Sequence, residues 1–120
     1  MSDIRGKWLG TLDQFSHDIE DTVSIELTVD TISGDEFVGT MTWPSFNGCR
    51  TAVQGMLDGD LIKWVETDYL EGDEVVLYGL YVARLDAGVL SGDWMDPKHT
   101  INPGGPDVGV PGARFILKLE

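Results

Sequence analysis

Residues 22–32, TVSIELTVDTI, decide the fold of this chain. Apolar side chains occupy every second position from Val23 to Val29, and polar side chains occupy the positions between them, from Ser24 to Asp30. Successive side chains of a β-strand point to opposite faces, so this alternation predicts a strand with one apolar and one polar face. Such a strand is typical of an antiparallel sheet, because parallel strands are usually buried on both faces.

The same alternation recurs along the chain, and turn signals such as Asp58-Gly59-Asp60 separate the apolar runs. Successive hairpins without a long crossover favour up-and-down order, and closure of the sheet removes its exposed edges. We therefore predict an all-β fold, a small antiparallel up-and-down barrel of about eight strands. The expected strands are residues 4–12, 22–32, 37–43, 51–57, 61–66, 75–83, 89–94 and 113–119.

Four glycines stand within the apolar runs, at Gly39, Gly55, Gly79 and Gly92. A mid-strand glycine weakens a flat sheet, but it permits sharp coiling and leaves room for a bulky neighbour. These glycines therefore favour a strongly curved sheet. A barrel of this size has an interior that is either filled by side chains or able to hold one small ligand.

The chain has 120 residues, which we interpret as a single barrel domain at residues 1–120. Single cores usually occupy about 100–150 residues. A long connection at about residues 95–112 contains four prolines and four glycines. A connection of this length is usually functional or mobile.

The charge balance excludes some partners. Lys and Arg number 8 against 21 Asp and Glu, which gives a formal net charge of −13. Nucleic-acid binding needs a basic footprint, and an anionic membrane repels an acidic protein, so we expect neither partner. The acidity has three interpretations: a very soluble protein, adaptation to high salt, or a basic protein partner attracted by electrostatic steering. The oligomeric state stays open.

Cysteine usage and the first residues of the chain indicate the cellular compartment. The single cysteine, Cys49, excludes an intramolecular disulfide and fits a reducing compartment. The first ten residues, MSDIRGKWLG, lack the apolar core of a secretory signal. No run approaches the ~18 apolar residues of a membrane helix. We therefore expect a cytoplasmic protein.

The aromatic residues are the first candidates for a binding site. By alternation Trp8, Trp43 and Trp94 point inward, whereas the direction of Trp64 stays open because it shares a face with Glu66. Tryptophan fills a small barrel well as ordinary core, and it also lines cavities for flat or apolar ligands. The candidate ligand-binding residues are Trp8, Phe37, Met41, Trp43, Trp64, Tyr81, Trp94 and His99.

Gly6-Lys7-Trp8 on the first strand resembles the Gly-x-Trp motif of the calycins, the superfamily of lipocalins, fatty-acid-binding proteins and avidins. The length, the hairpin rhythm and the apolar last strand around Phe115 are similar too. Many lipocalins carry a basic residue near the last strand that packs over that tryptophan, and Arg114 is the matching candidate. The resemblance implies a barrel open at one end that holds a small apolar molecule.

Acid–base chemistry has a second set of candidates. Asp96 and His99 lie in the long connection and can form an acid/base pair near neutral pH. Glu66 shares a strand face with Trp64, and burial there would raise the pKa of its carboxyl group. The candidate catalytic residues are Glu66, Asp96, His99, Tyr78 and Tyr81. Tyr69 is a further tyrosine considered for the same role.

The sequence offers no established cofactor motif. His17, Asp18, Glu20 and Asp21 bring one imidazole and three carboxylates together, but their spacing matches no established cation loop. Phosphate loops, dinucleotide fingerprints and cysteine zinc clusters are absent from the sequence. We therefore expect no metal and no cofactor.

Three functions are consistent with these patterns. The leading hypothesis is a binding protein whose aromatic-lined interior holds a small apolar or aromatic molecule. The second is a small barrel enzyme of the cyclase or isomerase type, which shapes a reactive substrate in the same cavity. The third is an acidic interaction or inhibitor protein for a basic partner.

Overall fold

The computed structural model describes residues 4–14, 21–95 and 111–120. Eight strands form one closed sheet in which each strand pairs antiparallel with its sequence neighbours and the last pairs with the first. The predicted antiparallel up-and-down barrel is therefore confirmed. The strands are β1 (Gly6–Gln14), β2 (Asp21–Ser33), β3 (Glu36–Trp43), β4 (Cys49–Asp58), β5 (Leu61–Glu71), β6 (Leu80–Asp86), β7 (Val89–Met95) and β8 (Pro111–Leu119).

The two ends of the barrel differ in their connections. At one end, which we call the turn end, two-residue turns join β2 to β3, β4 to β5 and β6 to β7. The first turn residues Gly34 and Gly59 both have φ of 62°, as expected for the tight turns that suit twisted hairpins. At the other end, which we call the loop end, residues 44–48 join β3 to β4 and residues 72–79 join β5 to β6.

The interior follows the predicted alternation, and every described strand contributes buried apolar side chains. Three aromatic rings pack together in the middle. Trp64 stacks on Tyr81 with ring centroids 5.1 Å apart, and both rings meet Phe115 edge-on at 5.4 and 5.7 Å. The indole N–H of Trp64 also donates to the sulfur of Met41 at 3.4 Å. This cluster buries large apolar area and fills the centre of the barrel.

Close approach between neighbouring strands explains the mid-strand glycines. A Cβ atom on Gly39 would lie 1.9 Å from the carbonyl oxygen of Thr28, and one on Gly92 would lie 1.8 Å from that of Val82. A Cβ on Gly55 would lie 2.2 Å from the ring of Phe37. The glycines therefore permit a tightly coiled wall at two positions and accommodate a bulky ring at a third, as the sequence predicted.

The prediction of one strand over residues 75–83 is wrong, because β6 begins only at Leu80. Tyr78 has a φ of 68°, in the left-handed region, which interrupts the extended backbone. The segment 72–79 instead folds back along the end of β5, where the Tyr78 N–H donates to the carbonyl of Glu66 at 2.9 Å. The apolar run predicts a strand, but Val75 is its one buried side chain before Gly79, and Val76 and Tyr78 are exposed.

The other differences concern where strands end. β5 continues to Glu71 beyond the predicted end at residue 66, and two register shifts against β4 mark bulges along this extension. Pro111 and Gly112, assigned by sequence to the long connection, belong to β8, and Met95 belongs to β7. The remainder of that connection lies outside the described residues.

A single helical element occurs within the described residues, the 3₁₀ turn Pro44–Phe46. Pro44 ends β3 because a proline cannot donate to the strand ladder. Asn47 and Gly48 then take φ of 56° and 69°, which returns the chain to β4. In the described part of the chain, no helix is long and apolar enough to cross a membrane.

Candidate functional site

A buried carboxyl group lies at the loop end. Glu66 is 1% exposed and accepts three side-chain hydrogen bonds. Its Oε2 accepts from the indole N–H of Trp43 at 3.0 Å and from the hydroxyl of Thr51 at 2.5 Å. Its Oε1 accepts from the hydroxyl of Tyr81 at 2.5 Å. Thr51 and Glu66 are the buried polar residues among those the structure describes.

Local strand geometry brings these four side chains together. Trp43 is the last residue of β3, and Thr51 is the second buried residue of β4, after Cys49. Val53 pairs with Glu66 and Ala52 pairs with Asp68, so Thr67 is the extra residue of a bulge. The bulge directly follows Glu66, which keeps the inward phase set by Trp64.

Burial controls the protonation of this carboxyl group. Loss of water around Glu66 raises its pKa above the ordinary value of 4.5, although the hydrogen bonds from Thr51, Tyr81 and Trp43 act in the opposite direction. No ion pair between described residues involves Glu66. The carboxyl group of Glu66 therefore keeps its proton to a higher pH than an exposed glutamate does, and it lies beside two hydroxyl groups.

Tyr81 links the polar cluster to the aromatic core. Its ring stacks on Trp64, and its hydroxyl reaches Glu66. Burial, followed by the neighbouring charge of Glu66, raises the pKa of the Tyr81 hydroxyl well above its usual range. Tyr81 is therefore a neutral hydrogen-bonding group and not a phenolate base.

Trp94 presents an indole N–H that has no partner in the described part of the chain. It lies opposite Tyr81 on β7, is half-buried, and packs against the core. Its Nε1 atom is buried and has no hydrogen-bond acceptor among the described residues. A Cβ on Gly79 would lie 2.0 Å from this atom, so only glycine lets the backbone of segment 72–79 approach the ring. A buried N–H without an acceptor is costly, typically by about 1–3 kcal/mol.

Tyrosines hold the segment 72–79 over the loop end. The Tyr69 hydroxyl donates to the carbonyl of Val75 at 2.5 Å, and the Tyr78 hydroxyl donates to that of Thr67 at 3.0 Å. Val75 is buried against the core. The segment therefore closes part of the barrel end through a few hydrogen bonds and one apolar contact.

Cys49 is buried at the start of β4, beside this segment. Burial raises the pKa of its thiol, with Glu74 as its charged neighbour. Arg50 points to the outer wall, where it lies 3.4 Å from Glu71. The described residues therefore place no cation beside the thiol to favour a reactive thiolate.

The predicted ligand-binding residues fall into two groups. Trp43 and Tyr81 lie at the loop end in contact with Glu66, and Trp94 lies opposite Tyr81 on the neighbouring strand. The others form packed core: Met41 receives the Trp64 N–H, Phe37 fills the space beside Gly55, and the Trp8 N–H donates to the carbonyl of Ile4 at 3.0 Å. His99 lies outside the described residues. The structure thus brings together only part of the predicted set.

The predicted catalytic residues also separate. Glu66 and Tyr81 are in contact, and the structure buries Glu66 beside Trp64, a direction that alternation alone leaves open. Tyr78 is 63% exposed, and its hydroxyl is directed to the backbone of Thr67, away from the carboxyl group. Asp96 lies outside the described residues, as do His17, Asp18 and Glu20 of the possible cation cluster.

Arg114 does not take the position that the calycin resemblance implied. It lies opposite Asp13 of β1, whereas Trp8 lies opposite Leu119. Its side chain is exposed on the outer wall, 3.6 Å from Asp93. Because Arg114 alternates with the buried Phe115, it cannot pack over the tryptophan inside the barrel.

Sequence reasoning missed Thr51. The alternation of Thr51 with the inward-facing Val53 and Gly55 places its hydroxyl in the interior, and this signal was present in the sequence. The contact between Thr51 and Glu66 depends on the bulge in β5, for which the sequence has no comparable signal.

Comparisons with known proteins assign no family. No protein-family model, curated protein or solved structure matches the chain. Within the described residues, no group of three or more His, Cys, Asp or Glu side chains is arranged to hold a metal ion. Among the described residues, the polar groups around Glu66 and Tyr81 at the loop end include a carboxyl group, two hydroxyls and two indoles.

Proposed function

We propose that this protein binds a small, uncharged, mainly apolar molecule at the loop end of its barrel. The buried N–H of Trp94, which has no acceptor among the described residues, is the observation that carries the proposal. A ligand with a carbonyl or ether oxygen supplies the missing acceptor. Binding sites of this kind combine an apolar lining with a few well-placed polar groups.

The electrostatics of the site favour a neutral ligand. The raised pKa of Glu66 indicates a poorly hydrated environment in which an unpaired charge is costly. No described cation lies in the cluster to pair with an acidic ligand. Trp43 and Tyr81 are buried and Trp94 is half-buried, so Trp94 is the ring that presents flat apolar surface to an aromatic or alicyclic molecule.

The architecture supports a calycin-type arrangement of this function. Eight up-and-down strands match the barrel that the Gly6-Lys7-Trp8 resemblance implies, and Trp8 lies inside on the first strand. Arg114 does not contribute to the likeness. The proposal therefore rests on the residues of the loop end and takes from the calycins only the idea of a ligand held at one end.

A fluorescent ligand tests this proposal. Prodan is an uncharged naphthalene ketone whose emission moves to the blue in apolar surroundings, and its carbonyl can accept the Trp94 N–H. We expect saturable binding, weakened about fivefold by Trp94→Phe, which keeps a ring and removes the N–H. Trp8→Phe makes the same change away from the site and should leave the affinity unchanged.

A second probe separates the hydrogen bond from the apolar lining. N-phenylnaphthylamine lacks the carbonyl, so Trp94→Phe should leave its affinity nearly unchanged, whereas Trp43→Ala should weaken both probes. If Trp43→Ala and Trp94→Ala left the affinity for every binding probe unaltered, the loop end would not be the binding site.

Proton-transfer catalysis is a second candidate function, favoured by the raised pKa of Glu66. A buried carboxyl group of this kind can remove a proton beside a substrate carbonyl and return it at another carbon, as an isomerase requires. The Tyr81 hydroxyl lies within reach to stabilise the developing negative charge. A cyclase would use the same groups to orient and protonate its substrate.

Isomerisation of a β,γ-unsaturated ketone to its conjugated form is a suitable assay, followed by ultraviolet absorbance. The enzymatic hypothesis expects turnover that rises as Glu66 loses its proton and that Glu66→Gln abolishes. Tyr78→Phe, a change at an exposed tyrosine, should retain activity. Equal rates for Glu66→Gln and the unaltered protein would eliminate this hypothesis.

A further inference from the structure

A second site lies on the outer wall of the barrel, distinct from the loop-end site. A groove of about 380 Å³ crosses β3, β4 and β5 and reaches the first residue of β6. Three exposed apolar side chains border it: Val38 at 47%, Met56 at 59% and Leu80 at 37%. Outward positions of an antiparallel barrel are ordinarily polar, so this patch departs from the pattern of the wall.

Strand register aligns Val38, Val65 and Leu80 in one row, with Gln54 between Val38 and Val65. Val38 pairs with Gln54, Gln54 with Val65, and Val65 with Leu80, so one row runs across four strands. Met56 stands in the next row towards the turn end, between Glu36 and Lys63. The groove is therefore an elongated apolar surface that suits aliphatic side chains.

Carboxylates border this groove on the side of the turn end. Glu36 lines it, Asp35 lies in the adjacent turn, and Asp58 ends the strand that carries Met56. A hydrogen bond of 2.7 Å from the Leu57 N–H to the Asp35 carbonyl holds the two hairpin tips together. No ion pair between described residues involves Asp35, Glu36 or Asp58.

We propose that this groove docks a cationic segment of a partner protein, whose aliphatic side chains enter between Val38, Met56 and Leu80. The exposed carboxylates and the net charge of −13 supply the complementarity. Among the described residues, Lys63 is the one cation that lines the groove, and it opposes such a partner. This inference is independent of the function proposed for the loop end.

Synthetic peptides test the docking site. The first alternates Lys with Leu, the second has Ser in place of Leu, and the third has Glu in place of Lys. Titration into ¹⁵N-labelled protein follows the backbone amides of the whole barrel. We expect saturable shifts from the Lys–Leu peptide, confined to β3, β4, β5 and the start of β6. The other two peptides should bind at least about tenfold more weakly.

Two substitutions separate the groove from general attraction to an acidic protein. Met56→Asp adds a negative charge and removes an apolar contact. If charge attraction alone governed binding, this variant would bind the Lys–Leu peptide more tightly. Docking in the apolar groove instead predicts binding about tenfold weaker. Lys63→Glu should tighten binding about threefold at low salt. Ile116→Asp adds the same charge at an exposed apolar residue of β8 and serves as the control.

The outcomes are distinct. Shifts confined to the groove, together with weaker binding by Met56→Asp and unchanged binding by Ile116→Asp, support the docking site. Equal binding of the Lys–Ser peptide, shifts spread over the whole surface, or tighter binding by Met56→Asp would overturn it. Absence of binding by the Lys–Leu peptide would overturn it as well. None of these results depends on whether the loop end binds prodan.

Discussion

The turn end and the loop end belong to the same closed sheet but are built differently. Near the turn end, tight turns close the hairpins and the buried side chains are apolar, as at Ile62, Leu90 and Leu117. Near the loop end, Glu66 and Thr51 are buried inside the barrel, and the N–H of Trp94 has no acceptor among residues 4–14, 21–95 and 111–120. Longer connections take the place of two-residue turns there.

The difference shows which part of the barrel serves stability. Burial of apolar side chains stabilises the folded state and needs no hydrogen-bond partners. A buried carboxyl group, by contrast, is tolerated only when it is hydrogen-bonded or neutral. The loop end carries the free-energy cost of burying the Glu66 carboxyl group. It also carries the cost of the Trp94 N–H, which has no acceptor among the described residues. A barrel selected for stability alone would not need either feature, which is why we assign the site to this end.

The largest expected effect is at the central aromatic cluster. Trp64→Ala removes the stacked contact with Tyr81 and the edge contact with Phe115, and it should lower the free energy of unfolding by about 3–5 kcal/mol. Trp94→Ala makes the same change at a half-buried ring and should cost less than half as much. Urea denaturation measures both, and equal losses would contradict the division into two regions.

Gly79→Ala tests the contact that covers Trp94. The new Cβ meets the indole at 2.0 Å from Nε1, so the ring or the segment 72–79 must shift, at a cost of about 1–3 kcal/mol. Emission of Trp94 and prodan affinity should change together. Gly34→Asn is the control, because asparagine tolerates the positive φ of 62° and no atom lies near that position. Unchanged emission in Gly79→Ala would contradict this packing.

The pH dependence of stability tests the protonation of Glu66. The folded pKa lies above the ordinary value of 4.5, so the folded protein holds this proton more tightly than the unfolded chain. The stabilisation is full below about pH 4.5 and is lost as pH rises through the raised pKa. Glu66→Gln has no proton to lose, so its stability should fall less over this range.

Glu36→Gln removes an exposed carboxyl group from the outer wall and is the matched control. Thermal unfolding at moderate salt, which screens repulsion among the other carboxylates, allows the slopes to be compared. A slope for Glu66→Gln as steep as that of the control would mean that Glu66 has no raised pKa.

The smallest effect is expected at the surface of the turn end. Arg84 lies 3.0 Å from Asp60, and both side chains are largely exposed. Arg84→Ala should change the free energy of unfolding by no more than about 0.5 kcal/mol, because water and salt screen such pairs. A larger loss in urea denaturation would mean that surface ion pairs, and not the apolar interior, hold this end together.

The fold was predictable because alternation and turn chemistry are local signals. The strict period of residues 22–32 and the turn around Gly59 determine strand direction, hairpin order and the inward face. The prediction of a strand over residues 75–83 was wrong because tertiary contacts decide the conformation of this segment. Tyr78 adopts a positive φ, and the chain covers the loop end by hydrogen bonds to β5, which no local pattern reveals.

The site was predictable only in part. Alternation identified Glu66, Trp43 and Tyr81 as residues that can face inward, and the structure joins them. The bulge at Thr67, which sets the phase after Glu66, depends on pairing with β4 and leaves no recognisable mark in the sequence. The missing acceptor of Trp94 is likewise a property of packing and not of composition.

A native mass spectrum of the freshly purified protein, recorded beside its denatured mass, tests the central claim most directly. The account predicts a discrete additional mass of a small neutral molecule that disappears on denaturation and that is depleted in Trp94→Phe but not in Trp8→Phe. A retained mass of equal abundance in both variants would contradict a site at the loop end. A bare mass, in a protein that also fails to bind prodan, would contradict the assignment of this end to ligand binding.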